Sequence, residues 1–207
     1  MLKPNDSWMW YFDQQEDALM LDLGDEMLFR VATPKKFFTP EAYNTQTFTV
    51  DDADVYQCFK ESITHLDISL PRKAELGLNA VAVARFHKPI MPKSWFFASS
   101  GVDYQPELGE LITLQTEFGQ AQFLVIETGD CASLCMQATI EPLTLNSSKE
   151  MTFCEVIKVM NDRIIPFSAE QEDYLALMNP LMILVKIIKL RWIHILSYDQ
   201  MVSPKIN

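Results

Sequence analysis

The sequence predicts an α+β protein, and three observations carry that prediction. An aromatic and leucine-rich opening is punctuated by turn residues, a middle segment repeats its apolar residues at helical spacing, and a long later stretch breaks into short strand-like runs separated by glycines. A chain of 207 residues has room for one sizeable core or two small ones. With 48% hydrophobic and 22% charged residues it carries enough apolar surface to offset chain entropy and fold.

Each element follows from local chemistry. Trp8-Met9-Trp10-Tyr11-Phe12 reads as an aromatic strand packed in a core, and Ala18 to Leu23 with Met27 to Val31 flank the turn residues Gly24-Asp25-Glu26 as a hairpin. Pro34, Lys35, Lys36 and Pro40 break the pattern, and Asn44-Thr45-Gln46-Thr47 reads as loop. From Asp51 the period changes. Val55, Cys58, Phe59, Ser62, Ile63 and Leu66 share one helical face, and Thr49 with Asp52 three residues later forms a capping box. A second helix begins near Pro71, places Ala74, Leu78, Val81 and Ala84 on one face, and ends before Pro89.

The prolines of Lys88-Pro89-Ile90-Met91-Pro92-Lys93 forbid helix and mark a domain boundary, giving an N-terminal domain over 1–89 and a second over 90–167. Trp95 to Ser99, Leu111 to Thr116, Gln122 to Glu127, Ser133 to Thr139 and Pro142 to Leu145 read as strands of a small barrel or sandwich. Glu155 to Asn161 reads as a helical turn before the extended Arg163 to Phe167. Residues 168–207 form an atypical tail, acidic at first and then rich in Leu and Ile from Pro180.

Composition excludes several functions. A formal net charge of −11 and a pI near 4.7 argue against nucleic acid and anionic membrane as partners of the whole surface, so an acidic partner requires a local basic patch. The apolar run Pro180 to Leu196 is interrupted by Lys186, Lys189, Arg191 and His194, too costly at a bilayer centre for stable insertion. Four scattered cysteines suit a reducing cytosol, and the opening residues lack a secretory signal. Cys131 with Cys135 is a pair of structural thiols and no metal site. His65, His87 and His194 have no nucleophile beside them, Asp51-Asp52-Asp54 already serve a helix start, and the six glycines form no phosphate cradle, so no cofactor is expected. The stretch Pro92 to Phe97 stands apart. Cations at Arg85, Lys88 and Lys93 surround its aromatics at a proline-stiffened junction, the composition of a protein-binding hot spot, although Trp95 and Phe97 as inward strand residues with solvated lysines are the plainer alternative.

An ordered set of stretches resembles the ZapC family of cell-division proteins. They are Lys3-Pro4-Asn5-Asp6-Ser7-Trp8 with Trp10-Tyr11, Leu21-Asp22-Leu23, Met27-Leu28-Phe29-Arg30 and Val50-Asp51-Asp52-Ala53. The match continues through Lys73-Ala74-Glu75-Leu76, Leu78-Asn79-Ala80, Lys88-Pro89, Met91-Pro92-Lys93-Ser94-Trp95 and Ile157-Lys158-Val159-Met160-Asn161-Asp162-Arg163, spanning residues 3 to about 166. The resemblance implies an N-terminal α/β domain followed by a C-terminal twisted β-barrel-like domain. It also implies a non-enzymatic cytoplasmic protein at the mid-cell division ring that binds FtsZ, promotes protofilament association and lowers FtsZ GTPase activity. An apolar pocket ringed by basic residues in the second domain is part of that expectation, with Lys88, Lys93, Trp95 and Arg85 as the FtsZ-binding residues. Leu21, in the matched hairpin, reads as core. Two rivals stand beside this: a small cytosolic enzyme with an acidic β-domain cleft, and a membrane-surface adaptor using the tail.

Overall fold

The computed structural model describes residues 2–102 and 104–167. The expectations placed on residues 168–207 lie outside the described residues.

Met1–Pro166 forms one compact unit. Its first half is a four-stranded antiparallel sheet in the order β3-β2-β1-β4, built from β1 (Met9–Asp13), β2 (Ala18–Asp22), β3 (Leu28–Arg30) and β4 (Gln46–Thr47). The register sets Trp10 opposite Leu21 and Phe12 opposite Leu19, so one face of the sheet is apolar. Trp8, Trp10 and Leu21 are buried, as their sequence context predicts. Residues read as loop contain two short 3-10 turns, Lys35–Phe37 and Pro40–Tyr43, besides β4.

Helices α1 (Val50–Ile63) and α2 (Leu70–Phe86) supply the other half of this core. The predicted capping box is present: Asp52 N–H donates to Thr49 Oγ1 at 3.2 Å and Thr49 N–H donates to Asp52 Oδ2 at 2.8 Å. The indole of Trp10 stacks on Phe48, with centroids 5.8 Å apart, and meets Phe86 edge-on at 5.6 Å. A Cβ on Gly77 would lie 3.1 Å from the Tyr56 ring, so the missing side chain lets the two helices approach.

The second half is a five-stranded antiparallel sheet in the order β10-β7-β6-β5-β11, from β5 (Leu111–Gln115), β6 (Gln120–Glu127), β7 (Ala132–Gln137), β10 (Val156–Met160) and β11 (Ile165–Pro166). A ribbon of β8 (Leu143–Asn146) and β9 (Lys149–Met151) completes it. Ile112, Leu114, Phe123, Val125 and Val159 form its core with Leu143 and Leu145 of the ribbon. The α+β class holds, and the sheet does not close into a barrel, because β10 and β11 occupy opposite edges.

Two segments differ from the sequence reading. Glu155 to Asn161 is strand β10 ending in a 3-10 turn at Asn161–Arg163, because its backbone pairs with β7 in a register from Val156↔Met136 to Met160↔Ala132. Trp95 to Ser99 is no strand. Ser94–Phe96 forms a 3-10 turn, and the Ser94 hydroxyl accepts the Met160 N–H at 2.7 Å, which covers the free edge of β10 with this turn.

Candidate functional site

The connector between the halves is pinned at both ends. Lys88 N–H donates to the Phe37 carbonyl at 2.8 Å, and Lys93 N–H donates to the Lys158 carbonyl at 2.8 Å. Between these anchors Pro89 and Pro92 hold the backbone extended. A short, stiff span with no partner strand pushes its side chains outward. Met91 is 80% exposed and Trp95 72%, and Lys88 and Lys93 are also exposed. Trp95 therefore does not pack inward as the plainer reading of its sequence had it, whereas Phe97 does, at 4% exposure.

Beside the connector lies a cleft of about 560 Å³, a size suited to a bound group. Phe37, Ile90, Met151, Phe153 and Ile157 supply an apolar lining, and Lys36, Lys93 and Lys149 supply cations. One wall, Ala32 to Phe37, is fixed by Asn79 of α2: its side-chain oxygen accepts the Ala32 N–H at 2.7 Å, while its Nδ2 donates to the Glu75 carbonyl at 2.9 Å. The facing wall is the β9–β10 turn. Aromatic faces hold two of the ammoniums, with Lys36 Nζ 5.0 Å from the Phe37 centroid and Lys149 Nζ 5.2 Å from that of Phe96.

Among the described residues, Lys36, Lys88, Lys93 and Lys149 have no ion-pair partner, as is also true of Lys3, Arg30, Lys60 and Lys73, whereas Lys35, Lys158, Arg72, Arg85 and Arg163 each face a carboxylate. Glu155 is the one carboxylate lining the cleft, and it accepts the Thr152 N–H at 2.9 Å. At the cleft edge His87 stacks on Phe37 at 5.6 Å and donates from Nδ1 to the Lys88 carbonyl at 2.7 Å. Burial pushes its imidazole below the usual range, against smaller opposing effects from that hydrogen bond and from Glu127.

Burial pushes the Cys135 thiol up to about 12 and raises that of Cys154 as well, so neither is a ready thiolate nucleophile. Among the described residues no group of three His, Cys, Asp or Glu side chains converges as a metal site would require. Nor is any described helix long and apolar enough to cross a membrane.

The sequence-predicted residues separate into two places. Lys88, Lys93 and Trp95 stand together on the connector, and Lys93 also lines the cleft. Arg85 turns the other way. Its guanidinium pairs closely with the buried Asp52 and donates to Gln46 Oε1 at 2.6 Å and the Thr47 carbonyl at 3.1 Å, tying α2 to α1 and β4. Sequence reading did not single out Lys36, Lys149, Thr33 or Phe153, which reach the cleft from segments far apart in the chain.

Comparison with known proteins follows the same division of the chain. Residues 1–88 match the family model described as cell-division protein ZapC, N-terminal, and residues 89–170 match that described as cell-division protein ZapC, C-terminal. The chain is 56% identical over 179 residues to the cell division protein ZapC of Photobacterium profundum, covering 86% of this chain and 100% of the relative. It is 47% identical to the protein of that name from Aliivibrio salmonicida, with the same coverage. The Vibrio cholerae protein is 48% identical over 164 residues, covering 79% of this chain and 91% of the relative.

Proposed function

The chain belongs to the ZapC family of cell-division proteins, and from that premise we propose that it acts without catalysis of its own, by binding FtsZ polymers directly through the connector and the adjoining cleft. Binding along a filament promotes association between protofilaments and lowers FtsZ GTPase turnover. The protein then works in the cytoplasm at the mid-cell ring. Residues 1–89 and 90–167 act as two domains in this reading, with the FtsZ-facing surface at their junction.

One observation carries the proposal: in a protein of net charge −11, Lys36, Lys93 and Lys149 line the cleft with exposed Met91, and Lys88 and Trp95 are exposed on the adjoining connector, none of the four lysines having a carboxylate partner among the described residues. Exposed unpaired cations beside a large apolar surface suit docking to an acidic partner, because they offset long-range repulsion between two anionic proteins. An acidic cleft of the kind a small hydrolytic enzyme would use has little support, since Glu155 is the cleft's one carboxylate.

The test is Lys88→Glu with Lys93→Glu. Both side chains are exposed, so the fold is retained, while binding to FtsZ polymers weakens by about tenfold or more in co-sedimentation. Unchanged binding by a folded variant would remove this surface from the account.

A further inference from the structure

Asn79 is an odd residue for its place in the fold. It lies within α2, 1% exposed among buried Leu76, Leu78, Ala80 and Val81, where an apolar side chain would pack with no hydrogen bonds to satisfy. Its amide is directed at one wall of the cleft. Oδ1 accepts the N–H of Ala32, beyond the last residue of β3, at 2.7 Å, while Nδ2 donates at 2.9 Å to the Glu75 carbonyl one helical turn back and so fixes the amide plane. The other wall reaches the same residue. In the β9–β10 turn, burial and then Glu75 push the Cys154 thiol up, while a hydrogen bond from the Asn79 side chain and the charge of Arg72 oppose them. Arg72, Glu75 and Asn79 thus meet this turn from one face of α2, and the Arg72 guanidinium lies 5.6 Å from the Phe153 ring centroid. The turn needs holding, since Cys154 has φ +66°, a left-handed conformation unfavourable for a residue with a Cβ.

We propose that Asn79 is a positioning residue for partner docking: from inside the core it holds Ala32 on one wall and Cys154 on the other, with Arg72 steadying Phe153, and so sets the spacing of the two walls without touching the partner. Ala32 to Phe37 comes from the first half of the chain and Thr152 to Ile157 from the second, so the rims they carry keep a fixed separation only through elements that contact both. One buried side chain that does so gives the walls a common reference, and its loss lets them open locally while the sheets stay folded. That docking uses this cleft rests on the reading above; that Asn79 couples the walls rests on these contacts alone.

The experiment compares the full chain of wild type, Asn79→Leu and Arg72→Ala by amide hydrogen exchange at Ala32, by thiol labelling at Cys154 against Cys135 resolved by mass spectrometry, and by FtsZ co-sedimentation. Cys135 is fully buried in β7 and reports opening of the sheet core, whereas Cys154 reports the turn. Asn79→Leu keeps the side-chain volume and favours helix, so the fold is retained. It speeds Ala32 exchange and Cys154 labelling about tenfold with Cys135 labelling unchanged, and weakens FtsZ binding severalfold at an equal or higher urea midpoint. Arg72→Ala removes a half-exposed side chain, speeds Cys154 labelling while Ala32 stays protected, and weakens binding less. A merely structural role speeds Cys154 and Cys135 together and ties lost binding to the unfolded fraction; that result, or full FtsZ binding by Asn79→Leu with its walls loosened, overturns the proposal. Should Asn79→Leu fail to fold, Arg72→Ala decides, and Cys154 labelling no faster than in wild type overturns it. Wild type that does not pellet with FtsZ removes the reading above, while the contrast between Cys154 and Cys135 still upholds or overturns the coupling of the walls.

Discussion

Asp52 shows how one residue can do several structural tasks. Its carboxylate completes the α1 cap, accepts the Trp10 indole N–H at 3.4 Å and pairs with Arg85. Asp52→Ala leaves the Arg85 guanidinium with its Gln46 and Thr47 acceptors but without its carboxylate partner, and we expect a loss of about 3 kcal/mol in urea unfolding. Arg85→Ala should destabilise in the same way, and any weaker FtsZ binding by that variant should track its unfolded fraction. Lys93→Ala should do the reverse, weakening binding with an unchanged urea midpoint. His87 gives a pH signature. Burial depresses its folded-state value below the ordinary 6.5, so the folded protein holds it neutral while the unfolded chain takes up a proton. The stability it contributes is present above 6.5 and is lost as pH falls below that value toward the depressed one. Urea midpoints between about pH 7 and about pH 5.5 should fall more steeply in wild type than in His87→Gln.

At the scale of elements, the joint between α1 and the strand half is set by a glycine. Gly109 has φ +79°, and a Cβ there would lie 2.7 Å from Cys58 Sγ. Gly109→Ala therefore combines backbone strain of about 1 to 2 kcal/mol with a steric clash. Adding Cys58→Ala should recover the steric part alone, which a double-mutant cycle in urea would read. Elements whose causes are local were legible in the sequence: the Thr49 and Asp52 cap, the Pro71 start and Pro89 stop of α2, and the Gly24 turn between β2 and β3. Elements whose causes are distant were not. Strand β10 alternates half-buried Val156 and Lys158 with buried Ile157 and Val159, yet five residues are too few to separate a strand from a helical turn without β7 beside them. The turn at Ser94–Phe96 is fixed by a hydrogen bond from Met160, so its aromatic run looked like a strand. The candidate site divides in the same way. Lys88, Lys93 and Trp95 are neighbours in sequence and were found there, whereas Lys36, Lys149 and Thr33 meet the connector only through the Asn79 anchor and the β9–β10 turn.

For the whole molecule, the proposed docking to FtsZ turns on the balance between global repulsion and local attraction. A chain of net charge −11 approaching an acidic polymer is repelled at long range, and the unpaired lysines act only within about a Debye length, ~10 Å at 0.1 M salt. Raising ionic strength to about 1 M, where that length falls to ~3 Å, should weaken the rim contacts and leave the apolar contact of Met91 and Trp95. Trp95→Ala should accordingly weaken binding at both ionic strengths, and Lys93→Ala chiefly at the lower one, as sedimentation at each would report. The most direct test of the central claim is GTP-dependent co-sedimentation of the full chain with FtsZ, with phosphate release followed in the same tubes. The account predicts that the wild-type chain pellets with FtsZ polymers and slows GTP hydrolysis, and that Lys88→Glu with Lys93→Glu does neither. Failure of the folded wild-type chain to pellet with assembled FtsZ would contradict it.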